Sequence, residues 1–123
     1  MKYNILIVDD EKSALDNLRI LLSDLAGCVL YFGANGRETY KILDTVNIDL
    51  LLTDINLPDT SGFEILETLK NKYPEIPVVI ITAYSSWQTA RDALKNGAFD
   101  YLAKPVKSSD IKLVIEKALK QRE

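Results

Sequence analysis

Histidine is absent from the 123 residues, and cysteine, methionine and tryptophan occur once each. A single thiol cannot close an internal disulfide, and without a histidine beside it Cys28 lacks the usual activating partner of a catalytic cysteine. It reads instead as a small buried strand residue in Cys28-Val29-Leu30-Tyr31-Phe32, in a protein of a reducing compartment. Glycine is scarce, five in all, and no G-x-G-x-x-G follows a strand-like run, which argues against a flavin or dinucleotide carrier. No apolar run approaches the roughly 20 residues that span a bilayer, and the N-terminus lacks a signal-peptide pattern, so a soluble, cytoplasmic chain with no membrane partner is expected. Basic residues are in deficit, 15 against 18 acidic, and the net charge of −3 makes this segment a poor binder of nucleic acid. Any DNA-binding part has to lie outside it. With 47% hydrophobic and 27% charged residues the composition is that of a folded protein, and the length suits one domain over residues 1–123.

What is present is a repeated pattern of short apolar runs that stop abruptly in polar residues. Leu50-Leu51-Leu52 shows no apolar/polar alternation, which suits a strand buried on both faces of a parallel sheet, and it ends at Thr53-Asp54-Ile55-Asn56-Leu57-Pro58-Asp59. Tyr3-Asn4-Ile5-Leu6-Ile7-Val8 repeats the pattern of a buried strand and stops at Asp9-Asp10-Glu11; Val78-Val79-Ile80-Ile81 stops at Thr82, and Phe99 to Ala103 leads into Lys104-Pro105. Val29 to Phe32 completes the set of strands. Between them the periodicity turns helical. Ala14, Leu15, Leu18, Leu21, Leu22 and Leu25 predict a first helix running to Gly27, and about Arg37 to Leu43 a second. Ser61-Gly62-Phe63-Glu64 predicts a capping box opening a third helix with Phe63, Leu66 and Leu69 inward. Ser85-Ser86-Trp87-Gln88 starts a fourth with a thin inner face of Ala90, Ala93 and Leu94, and Ile111, Val114, Ile115, Ala118 and Leu119 mark the inner face of the last. Tyr84 and Trp87 are candidate partner contacts near the fourth helix.

Strand then helix, five times, predicts a doubly wound α/β fold with a five-stranded parallel sheet in the order 2-1-3-4-5. Ligands of such sheets gather at the carboxyl ends of the strands where the order reverses, between the first and third strands, so Asp9, Asp10 and Asp54 are expected to converge. Carboxylates brought together without compensation repel one another and call for a cation, and an oxygen-only site open to water suits Mg²⁺. Asp9, Asp10 and Glu11 could instead merely favour the positive end of the first helix, and Asp54 merely begin a turn. That reading leaves the polar stops of the other strands, Thr82 and Lys104 among them, without a purpose. All find one in phosphoryl transfer: a carboxylate accepts the phosphoryl group, a metal and a lysine neutralise its oxygens, and a hydroxyl hydrogen-bonds one of them.

Val8-Asp9-Asp10-Glu11, Thr53-Asp54-Ile55-Asn56-Leu57-Pro58, Ile81-Thr82-Ala83 and Tyr101-Leu102-Ala103-Lys104-Pro105, in this order, resemble the receiver domain of two-component response regulators nearly end to end. The resemblance implies a flavodoxin-like (βα)5 fold in which Asp54 takes phosphate from a histidine kinase. It implies that Asp9, Asp10, Asp54 and the Asn56 carbonyl hold Mg²⁺, that Lys104 contacts the phosphate, that Thr82 and Tyr101 form the switch pair, and that the Lys104–Pro105 bond is cis. Gly97-Ala98-Phe99-Asp100-Tyr101 with Thr82-Ala83-Tyr84 is similar to receivers of regulators that activate sigma-54 promoters, which carry an ATPase and a DNA-binding domain after the receiver. Such a domain promotes only its own phosphotransfer and dephosphorylation, switches the face formed by the fourth helix, fifth strand and fifth helix, and can dimerise on phosphorylation. A haloacid-dehalogenase phosphatase also uses an aspartyl nucleophile with Mg²⁺, but its D-x-D after the first strand does not match Asp9-Asp10. The other rival, a receiver-like docking module that takes no phosphate, is opposed by the intact acidic set.

Overall fold

The computed structural model describes residues 2–83 and 86–122, without the side chain of residue 122. Tyr84 and Ser85, expected as a partner contact and as part of a helix start, lie outside the described residues. The elements alternate as β1 (Tyr3–Val8), α1 (Lys12–Leu21), β2 (Cys28–Gly33), α2 (Gly36–Thr45), β3 (Leu50–Thr53), α3 (Gly62–Lys72), β4 (Val78–Thr82), α4 (Trp87–Lys95), β5 (Asp100–Ala103) and α5 (Ser108–Arg122). The strands are all parallel and lie in the order β2-β1-β3-β4-β5, as the sequence pattern predicts.

The absence of alternation in the central strands has its cause in two apolar layers. Leu6, Val8, Leu51, Val78 and Ile80 meet α2, α3 and α4 through Leu43, Ile65, Leu66, Leu69 and Ala93 on one face. Ile5, Ile7, Leu50, Leu52, Val79 and Ile81 meet α1 and α5 through Leu18, Leu22, Ile111, Val114, Ile115 and Ala118 on the other. Successive residues of a strand point to opposite faces, so a strand covered on both must be apolar throughout.

Three helix expectations change. α1 stops at Leu21 with Leu22 as its C-cap rather than running on to Gly27: the Ser23 amide tightens to the Ile20 carbonyl at 3.2 Å, the Ser23 hydroxyl donates to the same oxygen, and the chain turns there. In α3 the inner face is Ile65, Leu66 and Leu69, with Phe63 only half-buried against it. Ser61 does cap the helix by accepting from the Glu64 amide, but the Glu64 carboxylate accepts from the Thr60 hydroxyl, closing half of the expected capping box. In α4, Ala93 is fully buried while Leu94 is 51% exposed. Consecutive helical residues lie about 100° apart, and α4 is turned so that Ala93 meets the sheet while Leu94 points to solvent.

That leaves α4 held mainly by a methyl group. Enlarging it with Ala93→Leu is expected to cost about 1–3 kcal/mol through overpacking, whereas Leu94→Ser should stay within about 0.5 kcal/mol of the parent, as exposed positions do. Urea denaturation of both variants measures the contrast.

Candidate functional site

Register places the acidic residues. Val8 pairs with Thr53, and the Asp54 amide donates to the Val8 carbonyl at 3.0 Å, so Asp9 and Asp54 leave neighbouring strands at the same level. Thr82 pairs with Ala103, and the Lys104 amide donates to the Thr82 carbonyl at 3.0 Å, which brings Lys104 off the far strand toward the same end. The two-residue alternation carried past the strand ends continues Ile7, Leu52 and Leu102 into Asp9, Asp54 and Lys104, on the α1/α5 side. Thr82 follows Ile80 on the opposite side, where Tyr101 also packs. The charged groups and the expected switch pair therefore sit on different faces of one sheet.

The centre of the site is one ammonium. Lys104 Nζ donates to Asp9 Oδ2 at 2.5 Å and to Asp54 Oδ2 at 3.0 Å, although Asp9 and Asp54 are only 2% and 7% exposed. Each carboxylate is completed by a backbone amide: Glu11 N–H donates to Asp9 Oδ1 at 3.0 Å and Ile55 N–H to Asp54 Oδ1 at 2.6 Å. Burial, the largest influence on Lys104, pulls its pKa down, but the hydrogen bonds and charges of Asp9 and Asp54 outweigh it and hold the ammonium above the ordinary lysine value. The two buried acids are thus compensated from within the chain, contrary to the expectation that they stand uncompensated until a metal arrives.

Asp10 is exposed beside them, and among the described residues no group of three acidic, histidine or cysteine side chains is drawn together as a metal nest. The anticipated convergence of three carboxylates is, in this structure, a convergence of two. The donors nonetheless suit a hard cation: Asp9 and Asp54 present carboxylate oxygens, and Asn56 lies in a turn braced by Leu57 N–H to Thr60 O at 3.2 Å and Gly62 N–H to Ile55 O at 2.6 Å. The turn is also packed tightly, since a Cβ on Gly62 would stand 2.6 Å from the Asp54 carbonyl oxygen and 3.0 Å from Ile55 Cα. Only glycine lets α3 begin this close to the backbone of Asp54 and Ile55.

Thr82 is completely buried and Tyr101 half-buried. Burial raises the Tyr101 phenol above its usual pKa, and a hydrogen bond with the backbone of Ser86, the N-cap of α4, works against that rise. Tyr101 therefore touches the very start of the lightly held helix. Trp87, in the first turn of α4, is 76% exposed with the Arg91 guanidinium 5.3 Å from its ring centroid. The Lys104–Pro105 peptide is cis, as the resemblance implies. A groove of about 230 Å³ bordered by Glu11, Ser13, Asn17, Lys104 and Pro105 opens beside the ammonium, between α1 and the segment entering α5.

The chain is a doubly wound parallel α/β protein with paired acids and a lysine at its switch point. The family described as response regulator receiver domain matches residues 5–116, and the chain belongs to that family. It is similar to response regulator protein PilR of Pseudomonas aeruginosa, 39% identical over 117 residues, covering 95% of this chain and 26% of the relative. DNA-binding transcriptional regulator NtrC of Proteus hauseri is 37% identical over 119 residues, 96% of this chain and 25% of its own. Among solved structures, a response regulator receiver domain protein from Clostridium thermocellum superposes with a TM-score of 0.87 at 33% identity, covering 98% of this chain and 96% of that one. The chain thus spans about a quarter of the length of PilR and NtrC. It is a receiver domain of a two-component system, a signalling domain, and none of its described helices is long and apolar enough to cross a membrane.

The shared ammonium makes an energetic prediction. Lys104→Met leaves two buried carboxylates facing each other, so it should destabilise the wild-type background more than the Asp54→Asn background. A double-mutant cycle followed by urea denaturation should give a Lys104–Asp54 coupling of about 0.5–3 kcal/mol. Additive losses would mean that the two groups are energetically independent.

Proposed function

We propose that the whole of residues 1–123 works as one phosphoacceptor domain, in which Asp54 takes a phosphoryl group from the phosphohistidine of a sensor kinase. The observation that carries the reading is the arrival of Asp54 beside Asp9 at one sheet level, under a lysine ammonium, in a chain of the receiver family. In the transfer an Asp54 oxygen forms the new P–O bond while the P–N bond to the donor imidazole breaks, and the imidazole leaves with its electron pair. Lys104 already touches Asp54 Oδ2 and is positioned to neutralise phosphoryl oxygens without a large movement. Asp9, Asp10, Asp54 and the Asn56 carbonyl would hold Mg²⁺, which supplies further neutralisation of the transferring group. The domain promotes its own phosphorylation and dephosphorylation and acts on no other substrate.

Phosphate adds roughly −1.5 to −2 charges and three acceptor oxygens. Thr82 turns its hydroxyl toward these, Tyr101 follows into the space released, and the α4/β5/α5 face changes. The output is a transcription-regulating assembly with an ATPase and a DNA-binding domain of the sigma-54 type, in the cytoplasm, with dimerisation on phosphorylation. Similarity to NtrC, a DNA-binding transcriptional regulator, and to PilR supports that branch.

Incubation with acetyl phosphate and Mg²⁺ should add one base-labile phosphate, seen by intact-mass spectrometry and lost in Asp54→Asn. Beryllofluoride with Mg²⁺ should change Trp87 emission, and Thr82→Ala should bind the mimic with most of that change gone. Efficient labelling of the Asn variant rules out Asp54 as the acceptor. An unlabelled wild type returns the domain to a docking role.

A further inference from the structure

Asp59 lies on the turn between β3 and α3, and its carboxylate crosses to another element. Oδ1 accepts from the Gly36 amide at 2.7 Å and Oδ2 from the Arg37 amide at 3.0 Å, so it occupies the first two amides of α2. The third, Glu38 N–H, goes to the Asn35 side chain at 2.8 Å. A helix start leaves these donors without partners of its own, and a loop carboxylate that takes two of them is fastened both by hydrogen bonds and by the helix dipole. The seat is shaped to the loop: a Cβ on Gly36 would stand 2.5 Å from Thr60 Cγ2 and 3.2 Å from Asp59 Oδ1. The Gly36 amide is the chief cause of a lowered Asp59 pKa; burial opposes it and the Arg37 amide adds to it, so the carboxylate stays charged at neutral pH.

Topology gives the link its importance. β1 lies between β2 and β3, so a bond from the β3–α3 turn to the start of α2 passes across the end of the strand that delivers Asp9. The β2 side holds Asp9 as well, through Asp9 N–H to the Gly33 carbonyl at 3.1 Å. The turn that Asp59 anchors is the one that carries Asn56, paired with Ser61 across it.

We infer that Asp59 is a positioning residue, which by tying the β3–α3 turn to the N-terminus of α2 fixes the Asn56 carbonyl relative to Asp9 and Asp54 and so sets the affinity of the site for a divalent cation. This rests on the phosphoacceptor reading above.

The test is calorimetric titration of the chain with Mg²⁺ alone, paired with thermal melts and the acetyl phosphate labelling rate. Asp59→Ala should weaken Mg²⁺ about 10-fold, the usual effect of removing a group that orients metal ligands, and should slow labelling. Asp59→Asn keeps an acceptor for one of the two amides and should fall between. Gly36→Ala leaves the carboxylate in place but crowds Thr60, and it too should weaken Mg²⁺, so the inference remains testable if Asp59→Ala fails to fold. The control is Asp44→Ala, which removes ties from the Tyr73 hydroxyl at 2.7 Å and the Lys72 ammonium at 3.3 Å at the other end of α2. It should lower the melting temperature and leave Mg²⁺ affinity at the wild-type value. Wild-type affinity in Asp59→Ala or, failing that, in Gly36→Ala overturns the inference, as does an equal loss in Asp44→Ala. A wild type that takes up neither Mg²⁺ nor phosphate overturns the phosphoacceptor reading with it.

Discussion

Two carboxylates at adjacent strand ends, buried and sharing one ammonium, are the constraint from which the rest of the molecule follows. Asp9 and Asp54 are nearly closed to solvent, and Lys104, also withdrawn from water, hydrogen-bonds both carboxylates. A buried network of this kind is stable only as a whole, because removing one partner leaves the others desolvated and unpaired. If Asp54 carries the phosphoryl group proposed above, Lys104, already shared between Asp9 and Asp54, is in place to meet the added charge without any rearrangement of the strands.

The sheet separates the charged cluster from Thr82 and Tyr101. Asp9, Asp54 and Lys104 belong to the side covered by α1 and α5, whose inner faces are built of leucine, isoleucine and valine. Thr82 and Tyr101 belong to the side covered by α2, α3 and α4, and of these helices α4 contributes a single fully buried alanine. Burial of apolar area is what holds a helix on a sheet, at roughly 25 cal/mol per Å², so a methyl group ties α4 far less firmly than the leucine and isoleucine side chains tie α3. The element beside Tyr101 is therefore the least costly one to displace. A few kcal/mol between two states is enough to switch a population.

How much of this could be read in advance depended on how local each interaction is. The strands and their order were legible because burial on two faces forces continuous apolar runs, and the site residues stood out as polar stops at the ends of those runs. The cap at Ser61 was legible from its own short motif, whereas the cis bond before Pro105 was implied by the family resemblance. The end of α1 was not, because Leu22 and Leu25 continue the helical period while the Ser23 amide and hydroxyl both turn back to the Ile20 carbonyl. The inner face of α4 was misjudged because Ala93 and Leu94 are adjacent and hydrophobicity alone favours leucine. Pairings across long sequence separations were beyond reach. Lys104 is 95 residues from Asp9, and although its closeness to the acids was expected, its role as their resting counter-charge was not. Asp59, following a proline, has the ordinary appearance of a turn former, and nothing near it in sequence discloses that its carboxylate caps a helix 23 residues earlier.

These long-range ties leave the two sides of Asp54 unequally held. On the β2 side of Asp54 the chain is fixed three times over: by Asp59 on the start of α2, by the close approach of Gly62 to the Asp54 carbonyl, and by the Asp9 amide on Gly33. Each contact involves backbone or a short side chain, so that side has little room to yield. On the β4 side the strands are laddered too, with Leu52 opposite Val79 and Thr53 opposite Ile80, but beyond the ladder lie the Thr82 side chain, the Tyr101 contact at Ser86 and the alanine face of α4. Thr82 moves by rotation about one side-chain bond, and Tyr101 already reaches the end of the helix that has least holding it. If Asp54 takes the phosphoryl group proposed above, the added charge meets a clamp of backbone and short side chains on one side and a helix held by little apolar burial on the other, and the second is the side with the lower cost of displacement.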